Sequence, residues 1–249
     1  MKIITVNVNK GGAGKTTFAY NLAEYLQQTH RVLLLDFDDS VNLTHRYGQY
    51  PVMANNVINL FEKGEVSPIK ISDNLDLIAG HKDVALLKQR LNERRRREYI
   101  FGNWLANHEA ELIASYDYVI VDTENDEDIL TLNALLVSDI VVGVGEPSKD
   151  SFLALLSLQH FVKVLNEEFK ATAQLVMVGN KINLSENNSK ELLEDLSNYP
   201  EYIGYMPERT ALANETSVFS NDSHNKLVRK QLTNLFDKLC DVARNQEVL

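Results

Sequence analysis

One run of residues, Lys10-Gly11-Gly12-Ala13-Gly14-Lys15-Thr16-Thr17, restricts this 249-residue chain more than any other segment. It lies between an apolar, β-branched run, Ile3–Val8, and a segment of helical period, Lys15–Gln28. Glycines let a backbone curl until successive N–H groups converge on phosphate oxygens, and the start of the following helix adds a favourable dipole. Lys15 is then placed to reach β- and γ-phosphates, and the Thr16 hydroxyl to ligate Mg²⁺. The general pattern G-x-x-x-x-G-K-[ST] asks for glycine at position 9, where this chain has Asn9. The match is therefore to a variant, K-G-G-x-G-K-[ST], headed by an extra lysine.

A strand–loop–helix of this kind belongs in an alternating chain, and the rest of the sequence alternates. Strand-like runs occur at Ile3–Val8, Arg31–Leu35, Leu75–Ile78, Tyr118–Val121, Ile140–Val144, Gln174–Val178 and Tyr202–Tyr205. Between them lie helical patterns at Lys15–Gln28, Val84–Arg97, Tyr99–Ser115, Ile129–Val137, Ser151–Phe169, Lys190–Leu196 and Asn225–Arg244. Several strand runs are almost continuously apolar, as strands covered on both faces are. The expectation is an α/β fold: a doubly wound, mostly parallel sheet with helices on both faces, binding ligands beyond the carboxyl ends of its strands. Residues 1–249 read as a single P-loop NTPase domain, with no repeat and no Pro/Gly-rich linker. The stretch Tyr47–Pro68 is the least regular and carries one short helix around Val57–Phe61.

Composition removes several classes. The one cysteine, Cys240, forms no internal disulfide and supplies no thiolate cluster for zinc or iron–sulfur. No signal-peptide core follows Met1-Lys2, and the run Leu135–Val144 is too short to span a bilayer and is broken by Ser138 and Asp139. A soluble, cytoplasmic protein is expected. The formal net charge is −10, so any nucleic-acid binding must come from a local patch and be salt-sensitive.

Two further runs end in acids. Leu33-Leu34-Leu35-Asp36-Phe37-Asp38-Asp39-Ser40 places carboxylates at i and i+2, which point apart in extended chain and suit separate tasks. Tyr116-Asp117-Tyr118-Val119-Ile120-Val121-Asp122 is an apolar strand closed by an acid, the Walker B arrangement, in which Asp122 holds Mg²⁺ through water.

With Lys10 at the head of the loop, these motifs resemble the ParA/MinD family of deviant Walker A ATPases, and among them the short ParA-type partitioning members. The resemblance implies that Lys10 crosses a dimer interface to the nucleotide of the other subunit; a lysine that merely supports the loop is the alternative. It maps Asp36 near the Mg²⁺ shell and Asp38 onto the residue that orients the attacking water. The catalytic candidates are thus Lys10, Lys15 and Asp38, and the metal candidates Thr16, Asp36 and Asp122. The nucleotide contacts are Lys10 through Thr17, including Gly11, Gly12, Ala13, Gly14, Lys15 and Thr16. Asn180, before Lys181, resembles the adenine-contacting asparagine, and Met206-Pro207-Glu208-Arg209 resembles the segment lying against the base. Thr131-Leu132-Asn133-Ala134-Leu135, with Asp139 beyond, extends the likeness. The chain departs from the family twice. Asp39-Ser40 stand where Pro-Gln is usual, either altering the turn or capping a helix, and Thr123-Glu124-Asn125 stand where a small residue and two prolines are usual.

The basic run Arg94–Arg97 reads either as a solvated helix end or as a contact surface for DNA or a partner. In the last helix, Leu227, Leu232, Leu235, Phe236, Leu239 and Val242 form a stripe expected to pack on the sheet. Lys226, Arg229 and Lys230 near its start are the DNA-binding candidates, by regional likeness to the family.

The resemblance implies an ATP- and Mg²⁺-dependent hydrolase that forms a homodimer when ATP-bound. It also implies non-specific DNA binding, association with the nucleoid, and a ParB-like or other centromere-binding adaptor that stimulates hydrolysis. The cargo would be a plasmid, a chromosome or another body. The alternative is a MinD-like membrane or division-site ATPase, but the ending Arg244-Asn245-Gln246-Glu247-Val248-Leu249 is poor for an anionic membrane, and no stable membrane association is expected. A nitrogenase-reductase-like role lacks its cysteines and a tyrosine autokinase lacks a tyrosine-rich tail; a metabolic ATP-dependent ligase stays open as an alternative, although it leaves Lys10 without a task.

Overall fold

The computed structural model describes residues 1–50, 55–214, 217–220 and 225–245. Its centre is an eight-stranded sheet in the order β3-β4-β2-β5-β1-β6-β7-β8. The strands are β1 (Lys2–Asn7), β2 (Val32–Asp36), β3 (Ile69–Lys70), β4 (Leu75–Ile78), β5 (Tyr118–Asp122), β6 (Ile140–Gly145), β7 (Gln174–Ile182) and β8 (Tyr202–Pro207). All pairings are parallel except that of the two-residue strand β3 with β4. The expected mostly parallel, doubly wound sheet is the observed one.

Alternation along the strands sorts side chains onto two faces. From β1, β2 and β5, Ile4, Val6, Leu34 and Ile120 pack against Phe18 and Leu22 of α1 (Lys15–Leu26) and Leu232, Phe236 and Leu239 of α11 (Lys226–Asn245). The intervening Ile3, Leu33, Leu35, Val119 and Val121 turn to the opposite face. There they meet α3 (Val57–Lys63), α4 (Val84–Asn92), α5 (Ile100–Asn107) and α7 (Ile129–Leu136) through Phe61, Leu87, Phe101 and Leu130. On the far half of the sheet, Val141, Leu175 and Met177 pack with α8 (Lys149–Phe169) and α9 (Asn187–Ser197). Each large side chain buried this way contributes roughly 1.5–3 kcal/mol, so a one-residue slip in any central strand, which would exchange its two faces, is excluded.

Among the described residues lie also the short helices α2 (Asn42–Tyr47), α6 (Glu109–Ser115) and α10 (Thr210–Ala213). The structure corrects four sequence expectations. Helix α4 stops at Asn92, and the basic run lies in a turn and a short 3-10 segment, Arg97–Tyr99, with Arg96 left-handed at φ 55°. The segment expected as one helix, Tyr99–Ser115, is divided at His108 into α5 and α6. Neither Asp39 nor Ser40 caps a helix: Val41, at φ 57°, occupies the N-cap of α2 without a side-chain bond. Leu227 leaves the apolar stripe of α11 and is 76% exposed, its place being taken by Val228. No helix among the described residues is long and apolar enough to cross a membrane. Residues 246–249, part of the argument against membrane binding, lie outside the described residues.

Candidate nucleotide site

Parallel order brings the carboxyl ends of β2, β5 and β1 side by side, and all three principal motifs emerge there. Asp36 and Asp122 are register partners, and Val6 is the partner of Asp122 on its other side. The glycine-rich loop leaves β1 at this same edge and turns into α1 at Lys15.

The loop is fixed by its neighbours. Gly14 is left-handed at φ 100°, and a Cβ added to it would lie 2.0 Å from the Asn180 amide nitrogen. Backbone conformation and space both require glycine there. Asn180, buried in the irregular last stretch of β7, donates through Nδ2 to the Ala13 carbonyl at 2.7 Å. Lys181, left-handed at φ 54°, donates through Nζ to the Gly12 carbonyl at 2.6 Å and pairs with Glu146 at 2.8 Å. The sequence singled out Asn180 and not Lys181, although the two were read as a pair; both side chains hold the loop backbone. Met206 is fully buried in the cluster beneath α1, with Pro207 following it at the end of β8.

Lys15 is 7% exposed. Burial lowers its pKa, opposed by Asp122, Asp38, Asp126 and Glu124, so the site surrounds one lysine with carboxylates. The Lys10 ammonium stands at the head of the loop, half-buried, with no partner among the described residues. Thr16 sits at the first turn of α1 next to Asp122, and its hydroxyl favours the charged form of that acid. Thr17, one residue on, accepts from Arg46 of α2 at 3.2 Å.

The two strand-end acids have opposite surroundings. Asp36 is filled by the protein: its Oδ2 accepts from the Thr44 amide at 2.9 Å and the Thr44 hydroxyl at 2.7 Å, and its Oδ1 from the Asp38 amide at 3.2 Å. Burial pushes its pKa up to about 6. Asp122 is equally buried, and apart from the Thr16 hydroxyl, which lies near it without hydrogen-bond geometry, neither of its oxygens has a partner among the described residues. Burial, then Asp36 and Asp38, raise its pKa well above the usual carboxylate range. An orphaned buried carboxylate is costly, and a cation at the loop mouth would satisfy it. Thr16 and Asp122 thus fit Mg²⁺, while Asp36, assigned from sequence to the same shell, has its oxygens engaged in holding the loop from Asp38 to Thr44.

Asp38 is half-buried, and its Oδ1 accepts from the Ser40 amide at 2.8 Å and the Ser40 hydroxyl at 2.5 Å. The departure at Ser40 therefore closes a side-chain turn onto the water-orienting candidate. The second departure also contacts the site. Glu124 accepts from Asp39, and Lys88 of α4 donates to Glu124 at 2.6 Å and to Asp126. Burial lowers the Lys88 ammonium, and its bonds to Asp126 and Glu124 more than reverse this; burial also pushes Glu124 up to about 7. Sequence reasoning missed Lys88, though its place in the buried stripe Val84, Leu87, Lys88, Leu91 was the available signal.

The DNA candidates divide. Lys226 and Lys230 are exposed, whereas Arg229 is turned inward, donating to the carbonyls of Val218 at 2.9 Å and Ser220. Arg95 and Arg96 of the basic run are exposed, and Arg94 donates to the Phe61 carbonyl at 2.8 Å.

A family model described as an AAA domain matches residues 1–177. A ParA family protein of Chlamydia pneumoniae is 30% identical over 186 residues, covering 69% of each chain. A ParA family protein of Mycoplasma pneumoniae is 28% identical, covering 77% of this chain and 75% of its own. Among solved structures, a plasmid partition protein from Borrelia burgdorferi superposes with a TM-score of 0.78 at 24% identity, over 96% of this chain and 98% of that one. McdA of Cyanothece reaches 0.82 at 18% identity, over 97% and 99% of the two chains. A variant of McdA has been solved with ATP.

Proposed function

The chain belongs to the ParA-type P-loop ATPases, and from that premise we propose that it is a Mg²⁺-dependent ATP hydrolase. In this reading it works as an ATP-bound homodimer, binds DNA without regard to sequence, and partitions plasmid or chromosomal DNA, or positions another cargo. A centromere-binding adaptor of ParB type stimulates its hydrolysis. Residues 1–249 act as one ATPase domain, in the cytoplasm and on the nucleoid.

The observation that carries the reading is Asp122, a fully buried carboxylate that accepts no well-formed hydrogen bond from the described residues, beside Lys15 and Thr16 at the mouth of a glycine-rich loop. Backbone N–H groups of residues 11–16 cradle the phosphates, Lys15 faces the β/γ end, and Thr16 with Asp122 holds the cation. When bound, Mg²⁺ supplies positive charge where the phosphoryl group separates from its leaving oxygen. Asp38 orients the attacking water, and Lys10 reaches the nucleotide of the second subunit. Asn180 and the segment at Met206-Pro207 lie on the base side; because the Met206 side chain is buried, that segment acts through its backbone.

Lys226 and Lys230 supply the exposed cations for DNA, doubled in a dimer. The apolar face of α11 is turned onto the sheet through Leu232, Leu235, Phe236 and Leu239, which favours DNA over a membrane as the surface bound. Light scattering and DNA titration with ATP and with ADP test the proposal. ATP-dependent dimers that bind unrelated duplexes support it, and an ATP-bound dimer that binds no DNA at low salt removes the partitioning function.

A further inference from the structure

The two places where this chain departs from the family pattern touch each other. Asp39 contributes its backbone N–H to Glu124 Oε1 at 3.2 Å, and Lys88 Nζ donates to Glu124 Oε2 at 2.6 Å. A proline at position 39 would have no N–H to give, and a proline at 124 no carboxylate to receive it. The pair exists only because both prolines are absent.

The surroundings make Glu124 a fixed point. Its own carbonyl accepts from Asn7 Nδ2 at 3.2 Å, and the same amide donates to the Thr123 hydroxyl at 2.7 Å. Asn7 and Thr123 are buried at the ends of β1 and β5. Lys88, 7% exposed, is held in turn by Asp126, whose Oδ1 accepts from the Thr131 hydroxyl at 2.8 Å. Beyond β2, Phe37, Asp38 and Thr44 are bonded to Asp122 and Asp36 of the sheet, but the turn between them, at residues 39 and 40, has less support. Asp39 and Ser40 are exposed, Val41 is left-handed, and among the described residues the Ser40 side chain is tied only to Asp38, in its own loop. Besides the Asp36 bonds on either side of it, Glu124 is the contact that fastens Asp39 in this exposed turn to the segment after β5 and, through Lys88, to α4.

We propose that Glu124 is a positioning residue for the loop that carries Asp38, and that Lys88 holds Glu124 in place. The inference rests on the reading of the site as an ATP hydrolase with Asp38 orienting water. Glu124 touches neither nucleotide nor water in this account; it acts through the Asp39 amide, one residue from Asp38. A displaced orienting group slows the chemical step while leaving the phosphate cradle intact.

The test uses the full chain and the variants Glu124→Ala, Glu124→Gln, Asp39→Pro and the double variant Glu124→Ala/Asp39→Pro. Affinity is read with a fluorescent ATP analogue, single-turnover hydrolysis with labelled ATP, and loop order by hydrogen exchange of the Asp39 amide. Glu124→Ala keeps affinity within about threefold and loses about tenfold or more in turnover, the split expected of a group acting only on the chemical step. Glu124→Gln restores part of the turnover, because its amide oxygen still accepts from Asp39, but not all of it, because its N–H₂ replaces the oxygen that accepts from Lys88. In an Asp39→Pro background, Glu124→Ala has no further effect, since the N–H is already gone. The amide of Asp39 exchanges faster in Glu124→Ala than in wild type and regains part of its protection in Glu124→Gln.

Equal losses of affinity and turnover, failure of the Gln rescue, or independent effects in the double variant would each overturn the inference. Should wild type itself show no Mg²⁺-dependent turnover, the hydrolase reading fails, and amide exchange alone decides whether Glu124 orders the loop. Unchanged Asp39 protection in Glu124→Ala then overturns the inference as well.

Discussion

Asp36 and Asp122 end adjacent parallel strands as register partners, both fully buried, and among the described residues well-formed hydrogen bonds reach Asp36 and not Asp122. The same residue type at the same height of the sheet thus has two tasks. Asp36 gives its oxygens to Thr44 and the Asp38 amide, and Asp122 leaves both of its oxygens open, as the proposed cation site requires.

Asp122→Asn separates stability from function. Removing a buried, unpartnered carboxylate relieves a desolvation cost of about 1–3 kcal/mol, while a neutral amide binds Mg²⁺ poorly. The nucleotide-free variant should melt at a temperature equal to or a few degrees above wild type, on the order of 2–4 °C per kcal/mol gained, and should lose Mg²⁺-dependent turnover. Thermal melts and phosphate release measured together check this; a sharply lower melting temperature would show that Asp122 has protein partners.

Asp38→Ala leaves the phosphate cradle and the Thr16–Asp122 pair untouched. ATP binding and ATP-dependent dimerisation should persist, with hydrolysis slowed by roughly 10²-fold or more, the range expected for a lost water-orienting group. Light scattering with ATP and single-turnover hydrolysis read the two halves. Wild-type turnover would move the orienting task to another residue.

Lys10→Ala removes a cation from the head of the loop that no described residue engages in the monomer. Monomer affinity should therefore stay within about threefold, and the ATP-dependent dimer should weaken, because a contact made only in the dimer is lost only there. Nucleotide titration and sedimentation decide it. A loss of monomer affinity with dimerisation intact assigns Lys10 to its own subunit's site.

Lys226→Glu with Lys230→Glu should reduce DNA affinity while leaving thermal stability within about 0.5 kcal/mol of wild type, as exposed substitutions do. Arg229→Glu should instead destabilise the chain, since its guanidinium donates to the Val218 and Ser220 carbonyls. DNA titrations at several salt concentrations, with melts of the same variants, test the division. Equal melting temperatures for both sets would place Arg229 with the exposed pair.

The central strand–loop–helix was legible because its signals are local: glycines at the turn, Lys15-Thr16 opening a helix, and β-branched residues in β1. The sheet followed from apolar runs, but β3 did not, since Ile69-Lys70 is too short for alternation to register. The break at His108 and the left-handed Arg96 were invisible because arginine- and alanine-rich segments favour helix and tertiary contacts overrode them. Within the site, residue types were readable and their pairing was not. Asp36 and Asp122 look alike in sequence, and what distinguishes them is Thr44, eight residues beyond Asp36. The Lys88–Glu124 contact joins positions 36 residues apart, for which no local pattern exists.

Single-turnover hydrolysis of labelled ATP by excess protein tests the central claim most directly, because it detects turnover that is slow without an adaptor. Wild type should release phosphate with Mg²⁺ and stop when Mg²⁺ is chelated, and Lys15→Ala should neither bind the nucleotide nor release phosphate. Release that is absent, independent of Mg²⁺, or unchanged in Lys15→Ala would contradict the assignment of this site to ATP hydrolysis.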